Sequence, residues 1–262
     1  MPELPEVNTF QQYFDQTTLH QRIEEVLVHD DKIIQQMSGE AFIDKLTHRT
    51  FTGSYRRGKY LFGKIDNGHH LLLHFGMTGD LKYYSEEEDR PRHERFAFRF
   101  ANGYFLGFDC PRKFAKIQYI EDLDTYLVAI GLGEDAQRIS EADFLQKMEG
   151  KKSSIKGFLL NQSQLAGIGN LYADEICFQT QVHPASIVDH IDLAKRIEIY
   201  RKMQEVLQFA IAQKVHYKAY PENWFWEWRK EGATAPHGRG LVESSKIAGR
   251  TTYFCSDWQQ KY

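Results

Sequence analysis

Met1-Pro2-Glu3-Leu4-Pro5-Glu6-Val7 opens the chain, and the interpretation of the later motifs depends on this segment. Removal of Met1, which a small residue at position 2 permits, would expose the secondary amine of Pro2. An α-amino group has a reference pKa of about 7.7 to 8.0, so a fraction of the molecules has an unprotonated amine near neutral pH. This free amine can attack an electrophilic carbon. Glu3 is one residue away and can exchange protons with the reacting group. The segment therefore offers a candidate nucleophile with a candidate acid–base beside it.

A helix is predicted directly behind this segment. Pro5 suits a first helical turn, and Val7, Phe10 and Phe14 fall on one helical face. The positive end of such a helix would favour the neutral amine and attract anions. An isolated proline near an N-terminus most often has no catalytic role. The rest of the chain therefore has to decide whether Pro2 is a nucleophile or an ordinary terminal residue.

Further motifs follow in a fixed order along the chain. They are Arg56-Arg57-Gly58-Lys59-Tyr60, His74-Phe75-Gly76-Met77-Thr78-Gly79, Asp109-Cys110-Pro111-Arg112-Lys113-Phe114, Ile155-Lys156, Gly167-Ile168-Gly169-Asn170-Leu171-Tyr172-Ala173-Asp174-Glu175, His183-Pro184 and Arg250. With the first seven residues, this ordered set resembles the formamidopyrimidine-DNA glycosylases, bacterial base-excision repair enzymes of the same superfamily as endonuclease VIII. The resemblance spans nearly the whole chain and is weak after about Ala212.

Composition alone does not indicate DNA binding. The 262 residues, 42% of them hydrophobic, suit one compact unit or two modest domains with a real core. A formal net charge of −3 argues against a uniformly basic protein, so a DNA-binding face has to be local. No apolar run is long enough for a membrane span and the charged start is not a secretory signal. We therefore expect a cytoplasmic protein, and the resemblance implies that it associates with the bacterial nucleoid through DNA.

Periodicity predicts an α+β fold. Between about Ile23 and Leu127 the pattern is mostly strand, and Asn67-Gly68 and Asn102-Gly103 each separate two apolar runs, which is the strongest short hairpin signal. We expect a β-sandwich or a flattened barrel here and, with the resemblance, a β-sandwich followed by a helical helix-two-turns-helix domain. In the second half, Asp192 is predicted to cap a helix, and one apolar stripe of that helix, with spacings of three and four, is predicted to pack: Leu193, Ile197, Tyr200, Met203, Leu207 and Ile211. The predicted parts are a catalytic β-sandwich domain with a leading helix (1–130), a linker and short helix (131–150), the helix-two-turns-helix domain (151–223) and a zincless finger hairpin (224–262).

The resemblance implies roles for particular side chains. Pro2 and Glu3 would carry the chemistry, and Lys59 would reach the active site and bind phosphate beside the lesion. The glycines of the turn at 167–169 let a backbone approach a phosphate, the exposed amides there can bind an anion, and Asn170 can cap the following helix. Glu175 would have a structural role. The residues implied in DNA binding are His74, Lys113, Lys156, Asn170 and Arg250.

Three further side chains match those that the family inserts into DNA where the damaged nucleotide has left the stack: Met77, Arg112 and Phe114. A flexible thioether and an aromatic ring can fill an apolar gap between bases, and an arginine can hydrogen-bond the orphaned partner base. Without the resemblance, Met77 and Phe114 would be interpreted as ordinary core residues.

The C-terminal segment departs from the family. Most bacterial relatives end in a zinc finger with four cysteines, and the aligned positions here are Ala235, Gly238, Cys255 and Trp258. One thiolate cannot hold a tetrahedral zinc, so we predict no zinc and no other cofactor. The segments 241–245 and 250–254 can still form a hairpin around 247–249. We expect aromatic side chains to hold it in place of metal: Trp224, Trp226, Tyr253, Phe254 and Trp258.

A second departure concerns the loop that covers the extruded base in the family. Relatives that excise 8-oxoguanine have a glycine-rich loop, whereas the segment from Gln213 to Trp224 contains no glycine. The preferred lesion therefore stays open among 8-oxoguanine, formamidopyrimidines, oxidised pyrimidines and hydantoins. Tyr217 and Tyr220 are candidates for stacking on a base.

The leading hypothesis is a bifunctional DNA glycosylase and abasic-site lyase that acts, as a monomer, on damaged double-stranded DNA through a Pro2 Schiff base and β,δ-elimination. The alternative is a catalytically inactive DNA-damage-binding protein of the same fold, which the lost zinc ligands and the altered loop favour. An unrelated enzyme with an N-terminal proline, such as a tautomerase, is disfavoured because those chains are short and lack the helix-two-turns-helix motif.

Overall fold

The computed structural model describes residues 1–238 and 240–262, which form two compact units; Arg239 and the side chain of His237 lie outside the description. The first unit comprises Met1–Pro2 and Glu6–Gly131, and the second comprises Glu3–Pro5 and Leu132–Tyr262. The predicted α+β fold class is confirmed. Within the described residues, every helix is too short or too polar to span a lipid bilayer.

The first unit is a β-sandwich with a leading helix. Its elements are α1 (Leu4–Thr18, from Glu6 onward), β1 (Ile23–Val28), β2 (Ile34–Gln35), α2 (Gly39–Leu46), β3 (Phe51–Arg57), β4 (Tyr60–Ile65), β5 (His70–His74), β6 (Asp80–Tyr84), β7 (Glu94–Phe100), β8 (Phe105–Asp109), β9 (Lys116–Ile120) and α3 (Leu123–Ala129). One sheet has the order β1-β7-β8-β6 and the other β2-β9-β5-β4-β3. All the strand pairs are antiparallel except β2 with β9.

Apolar side chains from both sheets and from α1 share one core. Phe51 of β3 and Phe98 of β7 belong to different sheets, and their ring centroids are 5.7 Å apart. Val7 and Phe14 of α1 are fully buried in the same cluster, and Phe10 stacks on Phe75 at 4.2 Å. The predicted helical face behind the N-terminal segment is therefore confirmed.

Both predicted Asn-Gly hairpins are confirmed. Asn67-Gly68 connects β4 to β5, and Asn102-Gly103 connects β7 to β8, with Gly68 at φ 88° and Gly103 at φ 86°. In each hairpin the asparagine Oδ1 accepts a hydrogen bond from the N–H two residues later, at 3.1 Å and 3.0 Å. The side chain and the glycine thus reverse the chain at two places in the sandwich.

The second unit is mainly helical. Its elements are β10 (Glu134–Asp135), α4 (Glu141–Met148), α5 (Ile155–Leu160), β11 (Leu165–Ala166), α6 (Asn170–Gln179), α7 (Leu193–Ala212), β12 (Glu243–Ile247) and β13 (Arg250–Phe254). Short 3-10 turns lie between α6 and α7, at Val188–His190, and between α7 and β12, at Tyr217–Ala219, Phe225–Trp228 and Pro236–Gly238.

The longest helix, α7, begins where the sequence predicts. Asp192 is its N-cap, because its carboxylate accepts a hydrogen bond from the N–H of Lys195 at 2.9 Å. Met203 and Leu207 are fully buried, as expected, but Leu193, which belongs to the same spacing pattern, is 62% exposed. The prediction that this whole apolar stripe packs is therefore wrong for the first turn of the helix.

Candidate active site

The carboxylate of Glu3 is bound by backbone amides at the start of α6. Its Oε2 accepts a hydrogen bond from the N–H of Gly169 at 2.6 Å, and its Oε1 accepts one from Leu171 at 2.8 Å. The N–H of Tyr172 lies 3.4 Å from Oε2, and Glu3 is only 5% exposed. Three N–H donors at the positive end of a helix stabilise a negative charge on this carboxylate.

The glycines of the turn before α6 make room for this N-terminal segment. A side-chain carbon on Gly169 would lie 2.4 Å from Cδ of Glu3, and one on Gly167 would lie 2.5 Å from Cδ1 of Leu4. The N–H of Leu4 also donates to the carbonyl of Gly167 at 3.0 Å. The turn thus holds residues 3 and 4 of the same chain.

This arrangement corrects two predictions about the turn. We expected exposed amides of the turn to bind an external anion, whereas the N–H of Gly169 binds Glu3, together with that of Leu171 in α6, and the N–H of Gly167 binds Gln162. We also expected Asn170 to cap the next helix, whereas Gly169 is the N-cap of α6 and provides no side chain for the role.

Gln162 braces the turn and was missed at the sequence level. Its Nε2 donates to the carbonyls of Leu160 and Ile168, at 2.9 Å each, and its Oε1 accepts from the N–H of Gly167 at 3.0 Å. One side chain thus ties the end of α5 to the backbone that holds Glu3. The only sequence signal was a polar residue two positions after the end of α5, and such residues are common near helix ends.

Two of the expected phosphate contacts lie in the first unit. Lys59 belongs to the two-residue turn between β3 and β4 and is 7% exposed. His74 ends β5, where its Nδ1 accepts a long hydrogen bond from the N–H of Gly76 at 3.4 Å and its ring centroid is 4.9 Å from that of Tyr60. Burial, with Lys116 and Lys59 nearby, lowers the pKa of His74 to about 4. His74 is therefore neutral at pH 7, and the contact to Nδ1 assigns its proton to Nε2.

Met77, Arg112 and Phe114 lie together on two packed loops of the first unit. The N–H of Arg112 donates to Oγ1 of Thr78 at 3.3 Å, and a side-chain carbon on Gly76 would lie 2.4 Å from the carbonyl carbon of Phe114. The guanidinium of Arg112 is 5.0 Å from the centroid of the Phe114 ring. Met77 is 42% exposed and Phe114 53% exposed, which does not fit an ordinary core role.

Lys113, between two of these residues, is paired within the protein. It forms an ion pair with Asp30, which also pairs with Arg95 at 3.4 Å, and Lys113 holds the pKa of the Asp30 carboxyl below its usual range. The guanidinium of Arg95 donates to the carbonyl of Cys110 at 2.8 Å, so this cluster also anchors the loop. A DNA contact by Lys113 stays a prediction.

Lys156 does not lie where the sequence led us to expect. Its side chain is fully buried, and its Nζ donates to Oδ1 of Asp174 at 2.6 Å and to Oγ1 of Thr252 at 2.7 Å. Burial lowers its pKa. An amine enclosed in this way does not reach a DNA phosphate, so the prediction of direct phosphate binding by Lys156 is wrong.

Asn170 contacts the C-terminal hairpin that carries Arg250. Strands β12 and β13 are joined by Ala248-Gly249, both at positive φ, and β12 begins two residues later than predicted. Arg250 is exposed at the start of β13, whereas Nδ2 of Asn170 donates to the carbonyl of Thr251 at 3.0 Å. Phosphate contacts by both side chains stay predictions.

The residues at the expected zinc positions do not fit a zinc ion. Ala235 and Gly238 have no donor side chain, and Trp258 donates its indole N–H to the carbonyl of Phe178 at 3.0 Å. Cys255 is fully buried, and this burial raises the pKa of its thiol. Across residues 1–238 and 240–262, apart from the undescribed His237 side chain, no group of three His, Cys, Asp or Glu side chains could hold a metal.

The aromatic side chains between α7 and the hairpin pack within the second unit. Tyr220 is 6% exposed and its hydroxyl is 3.0 Å from that of Tyr172, while Tyr217 stacks on Trp226 at 5.1 Å. This geometry does not favour stacking of Tyr220 on a base. Trp224 and Trp226 belong to the main helical core, so the expectation that they hold the hairpin is wrong. Trp258 and Tyr253 do pack in the cluster beside the hairpin.

Comparisons with known proteins agree along the whole chain. A model of the formamidopyrimidine-DNA glycosylase N-terminal domain matches residues 1–117, and a model of the H2TH domain of the same glycosylases matches residues 130–219. The formamidopyrimidine-DNA glycosylase of Mycoplasma genitalium is 31% identical over 280 residues, covering 99% of this chain and 96% of the relative. That of Synechocystis is 31% identical, covering 100% of this chain and 99% of the relative.

Solved structures give the same result. A complex of Lactococcus lactis Fpg with DNA that contains an abasic site is similar with a TM-score of 0.88 and 26% identity, covering 99% of this chain and 100% of that one. The wild-type Lactococcus lactis Fpg in complex with DNA that contains N7-benzyl-Fapy-dG has the same TM-score, identity and coverage.

Proposed function

The chain belongs to the formamidopyrimidine-DNA glycosylase family of base excision repair, and from that premise we propose that it is a bifunctional DNA glycosylase and abasic-site lyase. Its substrate is damaged double-stranded DNA, from which it removes an oxidised or ring-opened base and then nicks the strand. We further propose that it acts as a monomer and without a cofactor.

In the proposed reaction, removal of Met1 makes the nitrogen of Pro2 a secondary amine. This amine attacks C1′ of the damaged nucleotide, the bond from C1′ to the base breaks, and opening of the sugar ring leaves an iminium between Pro2 and C1′. Glu3 assists the proton transfers, and Lys59 binds the phosphate beside the lesion. Loss of the C2′ proton expels the 3′ phosphate, loss of the C4′ proton expels the 5′ phosphate, and hydrolysis of the iminium restores the amine.

The observation that carries this proposal is the binding of Glu3 at the start of α6. Its carboxylate accepts hydrogen bonds from Gly169 and Leu171, at 2.6 Å and 2.8 Å, and it is one peptide bond from Pro2. A charge held by fixed backbone donors has a defined position, which is what a proton-transfer group beside a nucleophile needs. The exposed group of Met77, Arg112 and Phe114 supports the DNA part of the proposal, because it offers an apolar wedge beside a cation.

Borohydride trapping on a duplex with one abasic site tests the proposal. Intact mass first establishes that Met1 is absent, because an amide nitrogen at Pro2 cannot form an iminium. We expect a covalent adduct that maps to the N-terminal peptide in the wild type and is lost in Pro2→Gly. An undiminished adduct in Pro2→Gly would refute Pro2 as the nucleophile. Tight binding without any adduct would favour the catalytically inactive damage-binding protein.

A further inference from the structure

Strand β13 is bound at three successive residues by polar side chains of the second unit, of which Lys156 and Asp174 are fully buried. The carbonyl of Thr251 accepts from Asn170 at 3.0 Å, the hydroxyl of Thr252 accepts from Lys156 at 2.7 Å, and the N–H of Tyr253 lies 3.4 Å from Oδ2 of Asp174. Three consecutive contacts fix both the register and the direction of a short strand. An exposed hairpin with only apolar contacts could slide more freely.

Asp174 is the centre of these contacts. It is fully buried; its Oδ1 accepts from Lys156 at 2.6 Å, and its Oδ2 accepts from both Nε and Nη2 of Arg229, at 3.1 Å and 2.9 Å. The guanidinium of Arg229 also lies 5.4 Å from the ring centroid of Tyr253. One carboxylate thus joins α5, α6 and the segment before the hairpin, and charge-assisted hydrogen bonds from Nε and Nη2 of Arg229 to the same oxygen fix the position of that guanidinium.

A chain of hydrogen bonds leads from this centre to Arg250. Lys156 connects Asp174 to the hydroxyl of Thr252, and that hydroxyl in turn donates to the carbonyl of Arg250 at 3.0 Å. Thr252 is fully buried whereas Arg250 is exposed at the end of the strand. The backbone that carries the exposed arginine is therefore fixed from inside the protein.

We propose that Asp174, Lys156 and Thr252 are positioning residues that do for this hairpin what a structural zinc does in relatives: they fix β13 so that Arg250 meets a DNA phosphate. The proposal rests on the proposed function, of which the Arg250 contact is a part. It follows from the chemistry of the residues, because the aligned zinc positions do not fit the metal while a buried ionic group binds the same hairpin.

Matched variants of two adjacent threonines test this role. Thr252→Val keeps the shape of the side chain but removes the hydroxyl between Lys156 and Arg250, and Thr252→Ser keeps the hydroxyl. Thr251→Val is the control, because it makes the same change at an exposed neighbour that joins the contacts only through its carbonyl. These changes avoid Asp174→Asn, which would leave buried cations uncompensated and could prevent folding.

The measurement is the dissociation constant for a duplex with an abasic site, recorded over a range of salt concentrations. We expect Arg250→Ala and Thr252→Val each to weaken binding by roughly tenfold. Each should also reduce the magnitude of the slope of log K against log salt by about one, the change expected when one phosphate contact is lost. Thr252→Ser and Thr251→Val should match the wild type. Combining Arg250→Ala with Thr252→Val should cost no more than either change alone, because both remove one contact. Thr252→Val should raise KM and leave kcat unchanged.

The outcomes distinguish failure of the proposed phosphate contact by Arg250 from failure of the proposed positioning role. An unchanged slope in Arg250→Ala would mean that Arg250 binds no phosphate, which contradicts that part of the proposed function. A reduced slope in Arg250→Ala with a wild-type slope in Thr252→Val would overturn only the positioning role. A wild-type slope that falls on treatment with EDTA would show that a metal holds the hairpin, which also overturns the proposal.

Discussion

His74 shows how burial changes the contact that a side chain can make. A histidine near a DNA phosphate would ordinarily be expected to act as a cation, but burial and the nearby Lys116 and Lys59 lower its pKa to about 4. Between pH 6 and pH 8 it is therefore a neutral donor through Nε2, with Nδ1 facing the N–H of Gly76. Its proposed phosphate contact is a single neutral hydrogen bond.

This assignment predicts the behaviour of two variants. His74→Gln keeps an N–H donor near the position of Nε2, so its affinity for an abasic-site duplex should stay close to that of the wild type. His74→Leu loses the donor and should bind about three- to tenfold more weakly, the equivalent of one hydrogen bond. Neither difference should change between pH 6 and pH 8 when dissociation constants are measured by fluorescence anisotropy. A wild-type advantage over His74→Gln that grows as the pH falls to 6 would instead indicate a protonated imidazole.

The turn before α6 is the element on which the candidate chemistry depends. Its glycines were predicted to admit a phosphate, yet the space they leave is filled by Glu3 and Leu4. Gln162 satisfies three backbone groups of this element and is the side chain that holds it in shape. Because a small displacement of a catalytic group can cost a large factor in rate, the brace should matter to catalysis without touching DNA.

Replacing Gln162 tests the role of the brace. Gln162→Met keeps the length of the side chain but removes its hydrogen bonds to the carbonyls of Leu160 and Ile168 and to the N–H of Gly167. We expect the single-turnover rate of borohydride trapping to fall by about tenfold or more at saturating protein, with little change in DNA affinity. Ser163→Ala is the control, because this neighbouring side chain is exposed and donates its hydrogen bond to Asn161, away from the turn. A Gln162→Met rate equal to that of Ser163→Ala would exclude the brace as a determinant of catalysis.

Across the whole molecule, contacts between residues close together in the sequence were predicted correctly, and contacts between residues far apart in the sequence were missed. The two Asn-Gly hairpins and the Asp192 cap depend on residues within a few positions, so local rules were sufficient. The partners of Lys156 are 18 and 96 positions away, and Glu3 is 166 positions from Gly169. Nothing in a local pattern distinguishes a lysine that faces DNA from one enclosed with a carboxylate, because that depends on which segments the fold brings together.

The free energy of unfolding of the second unit should depend on pH because of one buried carboxyl group. Glu175 is fully buried, and this burial raises its pKa to about 7, although Gln179 and the N–H groups of Phe225 and Trp226 oppose the shift. Since the folded pKa lies above that of the unfolded chain, the stabilising contribution of Glu175 is complete below about pH 4.5 and is lost as the pH rises through 7.

All four tryptophans, Trp224, Trp226, Trp228 and Trp258, lie in this unit, so urea unfolding followed by tryptophan fluorescence reports on it alone. Between pH 5 and pH 8 the wild type should lose about 2 to 3 kcal/mol of unfolding free energy relative to Glu175→Gln, because the carboxyl ionises in the unfolded chain from about pH 4.5 but keeps its proton in the folded protein until about pH 7. Taking the difference from Glu175→Gln removes the contributions of other titrating groups, such as Asp174 and His183. A constant difference over this range would mean that Glu175 is ionised throughout, so that its three hydrogen-bond donors outweigh the cost of burying the charge.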